Sequence, residues 1–507
     1  MASPDNTIQD ARRALQSGNL KIALSLFKKA VKLNPTDIDT WHMLAVVNGM
    51  LGNYVNAENC CRKVLRLQPR AHQALNNLGS IQKNLGKLND AEASYRKAIK
   101  IKPDYAEAAN NLATLLLDQD KKEEALEYYR TAVKLEPIYA EAHNNLGVLL
   151  QARGSLSEAL AHYQKAVQLQ PDNPESIYNL GCGLLETGKY KEAALAFQRV
   201  VMAQPRNSRA WTSLGAAQVR LKQHKSVKDS CQKAISLDPN NWEAYFHLGN
   251  SYQNQHLDVE AERMYRKALE IKPELESAKY FLSILGADET PAQSPAEYVK
   301  DLFDGYAETF DNQLVTDLQY KTPSHLFNIV SRHTDIPSGG LKIIDLGCGT
   351  GLCGPLFRDM ASYLVGVDLS PKMIEKARAR NLYDDLFVDD LISPLEKSET
   401  TYDIAIAADV FVYVGDLDKV FSAVFRSLEP GGIFAFSTEF HEGQEDFVLR
   451  PTGRYAHTAN YTENLAQTYG FMIVNVENLV LRKEAGSDIQ GNIHVLKKPL
   501  PGNNSTS

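Results

Sequence analysis

The chain has 507 residues and a formal net charge of −7, too long for one hydrophobic core and long enough for two to four domains of about 150 residues. No long basic run occurs, so extended nucleic-acid binding is not expected, because neutralising phosphates needs clustered Lys and Arg, although the sequence leaves room for a local basic groove. The six cysteines (Cys60, Cys61, Cys182, Cys231, Cys348 and Cys353) form no C-x-x-C pair or zinc spacing, so reduced thiols and no metal are expected.

The N-terminal text MASPDNTIQDARR lacks the apolar stretch of a secretory signal. No run of about 18 apolar residues suggests a membrane span, so a cytoplasmic protein without a membrane partner is expected. From residue 4 the chain repeats itself. Prolines recur every 34 residues at Pro35, Pro69, Pro103, Pro137, Pro171, Pro205, Pro239 and Pro273, which defines eight units spanning residues 4–275. The eighth position of each unit is small (Ala11, Ala45, Gly79, Ala113, Gly147, Gly181, Gly215, Gly249), and so is nearly every twentieth (Ala23, Ala57, Ala91, Ala125, Ala159, Ala193, Val227, Ala261). Small residues there let the two helices of a unit approach closely. The twenty-fourth is mostly aromatic (Phe27, Tyr95, Tyr129, Tyr163, Phe197, Tyr265) and is expected to fill the groove against the next unit, while the proline closes the second helix.

This pattern resembles the tetratricopeptide family, which implies a superhelix of helical hairpins binding peptides or proteins on its concave face. Asn77, Asn111, Asn145 and Asn179 occupy one register of the first helices, with Asn76, Asn110 and Asn144 just before three of them. An amide has both a donor and an acceptor, so this ladder is a candidate for holding the backbone of an extended peptide. The LNNLG text resembles the repeats of the O-linked N-acetylglucosamine transferase family, where such a ladder is used in this way. Residues 276–286, including ESAKYFLSILG, read as a capping helix, and residues 287–296, with Pro291 and Pro295, as a linker.

Beyond the linker the pattern becomes β-α alternation over residues 297–498, with a disordered tail at 499–507 expected. LKIIDLG, YLVGVDLS, TYDIAIAADV, GGIFAFSTE, FMIVNVENL and NIHVLKK read as strands, with PKMIEKARAR and LDKVFSAVFRSL as helices, so a mostly parallel sheet covered on both faces is expected. After the first strand comes DLGCGTG, a glycine turn suited to close approach of a ligand. GTGLCG also matches the dinucleotide pattern G-x-G-x-x-G, a weak signal alone. Asp345 before the turn disfavours a pyrophosphate and suits an ammonium. Asp368 ends the next strand, where an acid accepts ribose hydroxyls.

DLGCGTG followed by VGVDLSPKMIEKAR resembles the class I S-adenosylmethionine-dependent methyltransferases. The resemblance implies a Rossmann-like α/β domain with a mostly parallel seven-stranded sheet, and S-adenosylmethionine as cofactor. It assigns the methionine part to Asp345, Gly347, Cys348, Gly349, Thr350 and Gly351. The ribose falls to Asp368, and the adenine to Leu369, Met373, Leu391 and Asp390, with Asp389 as the register alternative. Ala408 and Asp409 fall beside the reacting methyl group, and Tyr306 and Tyr320 in a cover over the cofactor.

No N-P-P-Y or D-P-P-Y text follows the fourth strand and no Pro-Cys nucleophile occurs in the domain, which argues against amide-type nitrogen and cytosine-C5 acceptors. Glu439, His441 and His457 are candidate catalytic residues, with Tyr413, Arg454 and Tyr455 as further acceptor-side candidates. Three functions follow: methylation of a partner or substrate held by the repeats, methylation of a small molecule with the repeats serving location or assembly, and a non-catalytic adaptor.

Overall fold

The computed structural model describes residues 4–307, 310–312, 320–334, 339–484 and 487–501. The chain divides into two compact units, Met1–Leu221 and Lys222–Ser507. The first is helical, with helices paired at the 34-residue step: Pro4–Gln16 with Leu20–Leu33, Ile38–Met50 with Tyr54–Leu67, and so on to Pro174–Glu186 with Tyr190–Ala203, followed by Ser208–Arg220. Each second helix stops two residues before its registered proline, at Leu33, Leu67, Ile101, Leu135, Leu169 and Ala203, because proline disfavours helical geometry in the residue ahead of it and brings no N–H.

The packing refines the role of the registered small residues. A Cβ at Gly79, Gly147 or Gly181 would meet the ring of Tyr95, Tyr163 or Phe197 at 2.7 Å. The aromatic at the twenty-fourth position thus sits first on the eighth-position residue of its own repeat. It also reaches the next repeat, since Tyr95 shares a buried cluster with Leu112 and Ala113. The turn between paired helices uses a left-handed residue at one register: Gly18, Gly52, Gly86, Gly154 and Gly188, with Asp120 at φ 59° in the fourth repeat. A glycine adopts that conformation without a side-chain clash, whereas Asp120 holds it at a cost.

In the second unit come three more repeat helices, His224–Leu237, Trp242–Gln253 and Asp258–Ile271, and the closing helix Glu276–Ile284. Phe281 of the closing helix stacks on Tyr265 with centroids 5.4 Å apart and so covers the apolar end of the last repeat. The α/β part follows. Its strands are β1 (Leu341–Leu346), β2 (Ala361–Asp368), β3 (Asp385–Val388), β4 (Tyr402–Ala407), β5 (Leu428–Phe440), β6 (Phe447–Leu449), β7 (Tyr455–His457), β8 (Met472–Glu484) and β9 (Ser487–Lys497). They form a nine-stranded sheet ordered β3-β2-β1-β4-β5-β7-β6, with β9 also on β5 and β8 on β9.

The expected seven-strand path survives as β3-β2-β1-β4-β5-β9-β8, in which β8 and β9 form a hairpin and β9 runs antiparallel to β5. The two additional strands arise because β5 is 13 residues long. Its far end, Glu439 and Phe440, pairs in parallel with Ala456 and His457 of β7, and β6 closes on β7.

Alternation along the central strands explains their apolar text. Ile343, Ile404 and Ile406 face one buried cluster with Leu326, Ile329 and Phe357. Ile344, Ala405 and Ala407 face the other, with Phe421, Val424 and Leu465. A strand covered on both faces has no polar side to show.

The segment expected as a linker is docked. The Ser294 amide donates to Tyr413 O at 2.9 Å, and the Gly415 and Asp416 amides donate to Ala292 O at 2.8 Å. Tyr455 Oη donates to Pro291 O at 2.9 Å. Proline and small polar residues leave backbone carbonyls open to such partners, and sequence patterning does not distinguish this from a free tether.

Candidate functional site

The crevice where β1 and β4 diverge is the place an open α/β sheet offers a ligand. Here it is a cavity of about 550 Å³. Asp345, Gly347, Cys348, Gly349, Thr350, Asp368, Leu369, Asp390, Leu391, Ala408 and Asp409 line it, and so does Tyr320. Gly351, Met373 and Asp389 are not in its lining. Gly351 is a packing position, where a Cβ would meet the Tyr383 ring at 2.9 Å. Met373 is fully buried on the helix Pro371–Ala379, and Asp389 pairs with Lys397 at 3.2 Å. The side chain of Tyr306 lies outside the described residues, as does most of the expected tail.

The glycine turn is built by backbone conformation and one acid. Gly347 has φ 69°, and a Cβ there would strike Val410 at 2.5 Å, so no other residue fits between β1 and the end of β4. Asp368 organises the turn from the neighbouring strand. Its Oδ2 accepts from the Gly349 amide at 2.9 Å and its Oδ1 from the Ser370 amide at 2.8 Å. The helix directly behind the turn is only Gly354–Phe357, so an axial helix field contributes little to the cavity.

Asp345 is the electrostatic centre of this half. Its Oδ2 accepts from Tyr383 Oη at 2.6 Å, while Oδ1 is buried with no hydrogen-bond partner among the described residues. Burial, opposed by the Tyr383 hydrogen bond and reinforced by Asp368, pushes its carboxyl up to about 7. A buried carboxylate oxygen without a donor costs free energy unless a ligand supplies one. Asp390 is held by the turn it caps, its Oδ1 accepting from the Ile392 and Ser393 amides at 2.8 and 2.7 Å.

The other end of the cavity holds a buried charge network. Arg482 on β8 lines it and pairs with Asp409 Oδ2 at 3.0 Å and with Glu439. Arg450 holds the second Glu439 oxygen at 2.7 Å. Asp409 adopts φ 56°, a strained conformation for a residue with a side chain. It is held by Ser437, whose Oγ accepts from the Asp409 amide at 2.8 Å and donates to its Oδ1 at 2.9 Å. Arg482 was not singled out in the sequence, because it lies in a long strand far along the chain from both its carboxylates.

None of Glu439, His441 and His457 is in the cavity lining. Glu439 sits behind Arg482. His457 Nε2 faces the carbonyls of Val414 and Gly415 at 3.0 and 2.9 Å, and burial lowers this imidazole to about 4. Tyr413 and Arg454 do line the cavity. Among the described residues no His, Cys, Asp and Glu cluster is arranged to hold a metal ion, and no helix is long and apolar enough to cross a membrane.

In the first unit the asparagines form a two-register ladder. Asn111, Asn145 and Asn179 donate to Asn76, Asn110 and Asn144 of the preceding repeat at 3.0, 3.1 and 3.0 Å. Asn77 meets His42 at 3.3 Å. The receiving amides are buried, and Asn76 and Asn110 donate onward to Glu107 and Glu141 at 3.0 and 3.2 Å. The outer asparagines are half-buried.

Comparison with known proteins agrees with both parts. Residues 344–436 match the model of a methyltransferase domain. Tetratricopeptide-repeat models match residues 26–59 and 230–263, 72–105, 110–174, 150–217 and 208–241. The chain is similar to the malonyl-[acyl-carrier protein] O-methyltransferase of Yersinia pestis, with 28% identity over 148 residues, 29% of this chain and 52% of that protein. It is also similar to the ubiquinone biosynthesis O-methyltransferase of Chelativorans sp. (strain BNC1), with 35% identity over 106 residues, 20% of this chain and 42% of that protein. The chain thus spans about half the length of these relatives. Among solved structures it is similar to YrrB, a tetratricopeptide protein with an unusual peptide-binding site, at 24% identity and a TM-score of 0.34, covering 36% of this chain and 95% of that one. The chain is a tetratricopeptide-repeat array joined to a methyltransferase domain.

Proposed function

We propose that the chain transfers a methyl group from S-adenosylmethionine to an acceptor, and that its repeats hold a peptide or protein that is the substrate or a partner. The observation that carries the first part is Asp345 Oδ1, without a hydrogen-bond partner among the described residues and buried in the cavity lining beside Asp368. An ammonium supplies the donor this oxygen lacks, and a pyrophosphate would meet two carboxylates. Asp345 is thus suited to the methionine ammonium, Asp368 to the ribose hydroxyls, and Asp390 with Leu391 to the adenine. When bound, the donor supplies an activated methyl on a sulfonium, so the protein's task is alignment and exclusion of water. Phe303, Phe310 and Tyr320 line the same cavity and suit it to a small acceptor, which favours small-molecule methylation as the second reading. The names of both relatives make oxygen the acceptor atom considered first.

The donor assignment carries a pH signature. Asp345 must be ionised to meet an ammonium, and its carboxyl stands at about 7 in the free protein. Binding of S-adenosylhomocysteine, followed by calorimetry, should weaken about tenfold from pH 8 to pH 6, and Asp345→Asn should bind weakly at both. A flat profile in the unsubstituted chain would sink the assignment. The sign for stability is opposite. A carboxyl raised in the folded state stabilises most below its unfolded value near 4, and this contribution is lost as pH rises through 7.

The array is tested with the full chain and radiolabelled cofactor in a cell extract. Asn111→Ala with Asn145→Ala should reduce label entering protein and leave labelling of any small molecule unchanged. Each substitution also removes a donor from a buried amide of the preceding repeat, at about 1 kcal/mol, so the melting curve of the variant is recorded alongside. Undiminished protein labelling, or label confined to small molecules in both chains, counts against capture by the repeats.

A further inference from the structure

At the glycine turn a threonine and an arginine share one carboxylate. Thr350 is 2% exposed and lines the cavity. Its Oγ1 donates to Asp311 Oδ1 at 2.5 Å, and a terminal nitrogen of Arg380 donates to Asp311 Oδ2, also at 2.5 Å. The guanidinium is anchored from behind, its Nε donating to the Thr350 carbonyl at 2.6 Å. Gly351 leaves room for it, since a Cβ there would stand 3.4 Å from Arg380 Cδ. A hydroxyl and a guanidinium thus converge on one carboxylate and take one oxygen each. The same two groups would receive a carboxylate brought by a ligand.

The carboxylate now held there is the chain's own, and Phe310 beside it is part of the cavity lining. The side chains of Arg380 and Asp311 are 29% and 45% exposed. An ion pair this open to water is weak, so a second carboxylate can replace it at little cost. S-adenosylmethionine and S-adenosylhomocysteine carry one on the same carbon as the ammonium. It would lie near two acids, Asp345 and Asp368, and needs a cation of its own. The cations of the cavity lining are placed otherwise. Arg482 is held by Asp409 and Glu439, and Arg454 bonds Tyr413. Lys419 stands on the helix Asp418–Ser427 that follows β4.

We propose that Thr350 and Arg380 form the seat of the donor's methionine carboxylate, and that Asp311 fills this seat in the free chain and leaves it when the donor binds. This rests on the reading of the cavity as a methyl-donor site. Donor binding is then an exchange of one carboxylate for another on the same two groups. Asp311 is a built-in competitor that lowers donor affinity.

The test is calorimetry on the full chain with S-adenosylhomocysteine and with its decarboxylated analogue, which keeps the ammonium, ribose and adenine. S-adenosylhomocysteine is expected to bind at least about fivefold more tightly than the analogue, because a charge-assisted hydrogen bond is gained and an exposed ion pair given up. Arg380→Gln should bring the two within about twofold by weakening S-adenosylhomocysteine alone. Asp311→Asn, which removes the competing charge, should tighten S-adenosylhomocysteine about threefold and leave the analogue unchanged. An analogue that binds as tightly as S-adenosylhomocysteine overturns the seat. So does a preference that survives Arg380→Gln, one that is lost in Lys419→Gln instead, or an equal weakening of both compounds by Arg380→Gln. Each of these leaves the ammonium and ribose assignments standing. An Asp311→Asn chain that binds S-adenosylhomocysteine no more tightly than the unsubstituted one overturns the competitor role. A chain that binds neither compound overturns the donor reading and this inference together.

Discussion

Replacing Arg482 by methionine is expected to destabilise the second unit by about 3–5 kcal/mol, one of the larger effects available to a single substitution. The side chains of Arg482 and Glu439 are 4% and 2% exposed, and that of Asp409 is 14% exposed. The guanidinium pairs with two carboxylates, of which that of Glu439 is almost out of reach of water. Without it, Arg450 still compensates one oxygen of Glu439, which places the loss toward the lower end of the range. Asp409 loses its cation and part of what holds its left-handed backbone. Urea unfolding followed by near-ultraviolet circular dichroism measures this. A loss below about 1 kcal/mol would show that the network is hydrated and weak, as exposed ion pairs are. Pairing Arg482→Met with Glu439→Gln should recover part of the loss, because the second change removes a stranded charge.

Asp368→Ala should weaken S-adenosylhomocysteine binding by at least about a hundredfold. Two hydrogen bonds from ribose hydroxyls to a carboxylate account for about 3 kcal/mol. The substitution does more than delete a contact, since the Gly349 and Ser370 amides also lose their acceptor and the glycine turn loosens. Asp389→Ala serves as the control. That carboxylate pairs with Lys397 away from the cavity, so affinity should stay within about threefold. Equal losses at the two positions would remove the ribose assignment, and tight binding of a nicotinamide dinucleotide would replace it.

Local pattern and distant pairing were not equally legible. The repeats could be read because each 34-residue unit buries its small and aromatic residues in one way, so a single geometric demand is printed eight times. The turn glycines Gly18, Gly52, Gly86, Gly154 and Gly188 carry the same period and were available as a signal, masked where Asp120 takes their place. The glycine turn of the cavity was legible for a similar reason, since it is contiguous and each residue answers to its immediate neighbours. Met373 shows the limit. A methionine on an apolar helix face reads alike as an adenine neighbour or as core, and the structure buries it fully.

Arg482, Glu439 and Asp409 are separated by 43 and 73 residues, and no periodicity links them. His457 was attractive as a base because its type titrates near neutrality, yet burial lowers it out of that range against the upward pull of the Val414 and Gly415 carbonyls. Residues 287–296 have the composition of a tether, and only their hydrogen bonds to residues 413–416 and 455 show them docked.

By itself the sequence determined the repeat register, the order of strands and helices along the α/β part, and the glycine turn that follows the first strand. These follow from periodicity and from conformational demands met within a few residues. Tertiary structure alone decided that two more strands extend the sheet, that the outer asparagines are tied into the array, and that the closing helix reaches the cavity wall through Tyr280, which accepts from Ser294 Oγ at 2.9 Å. Each of those depends on a hydrogen bond or charge pair between distant segments, whose free energy exists only once the chain has brought them together and excluded water.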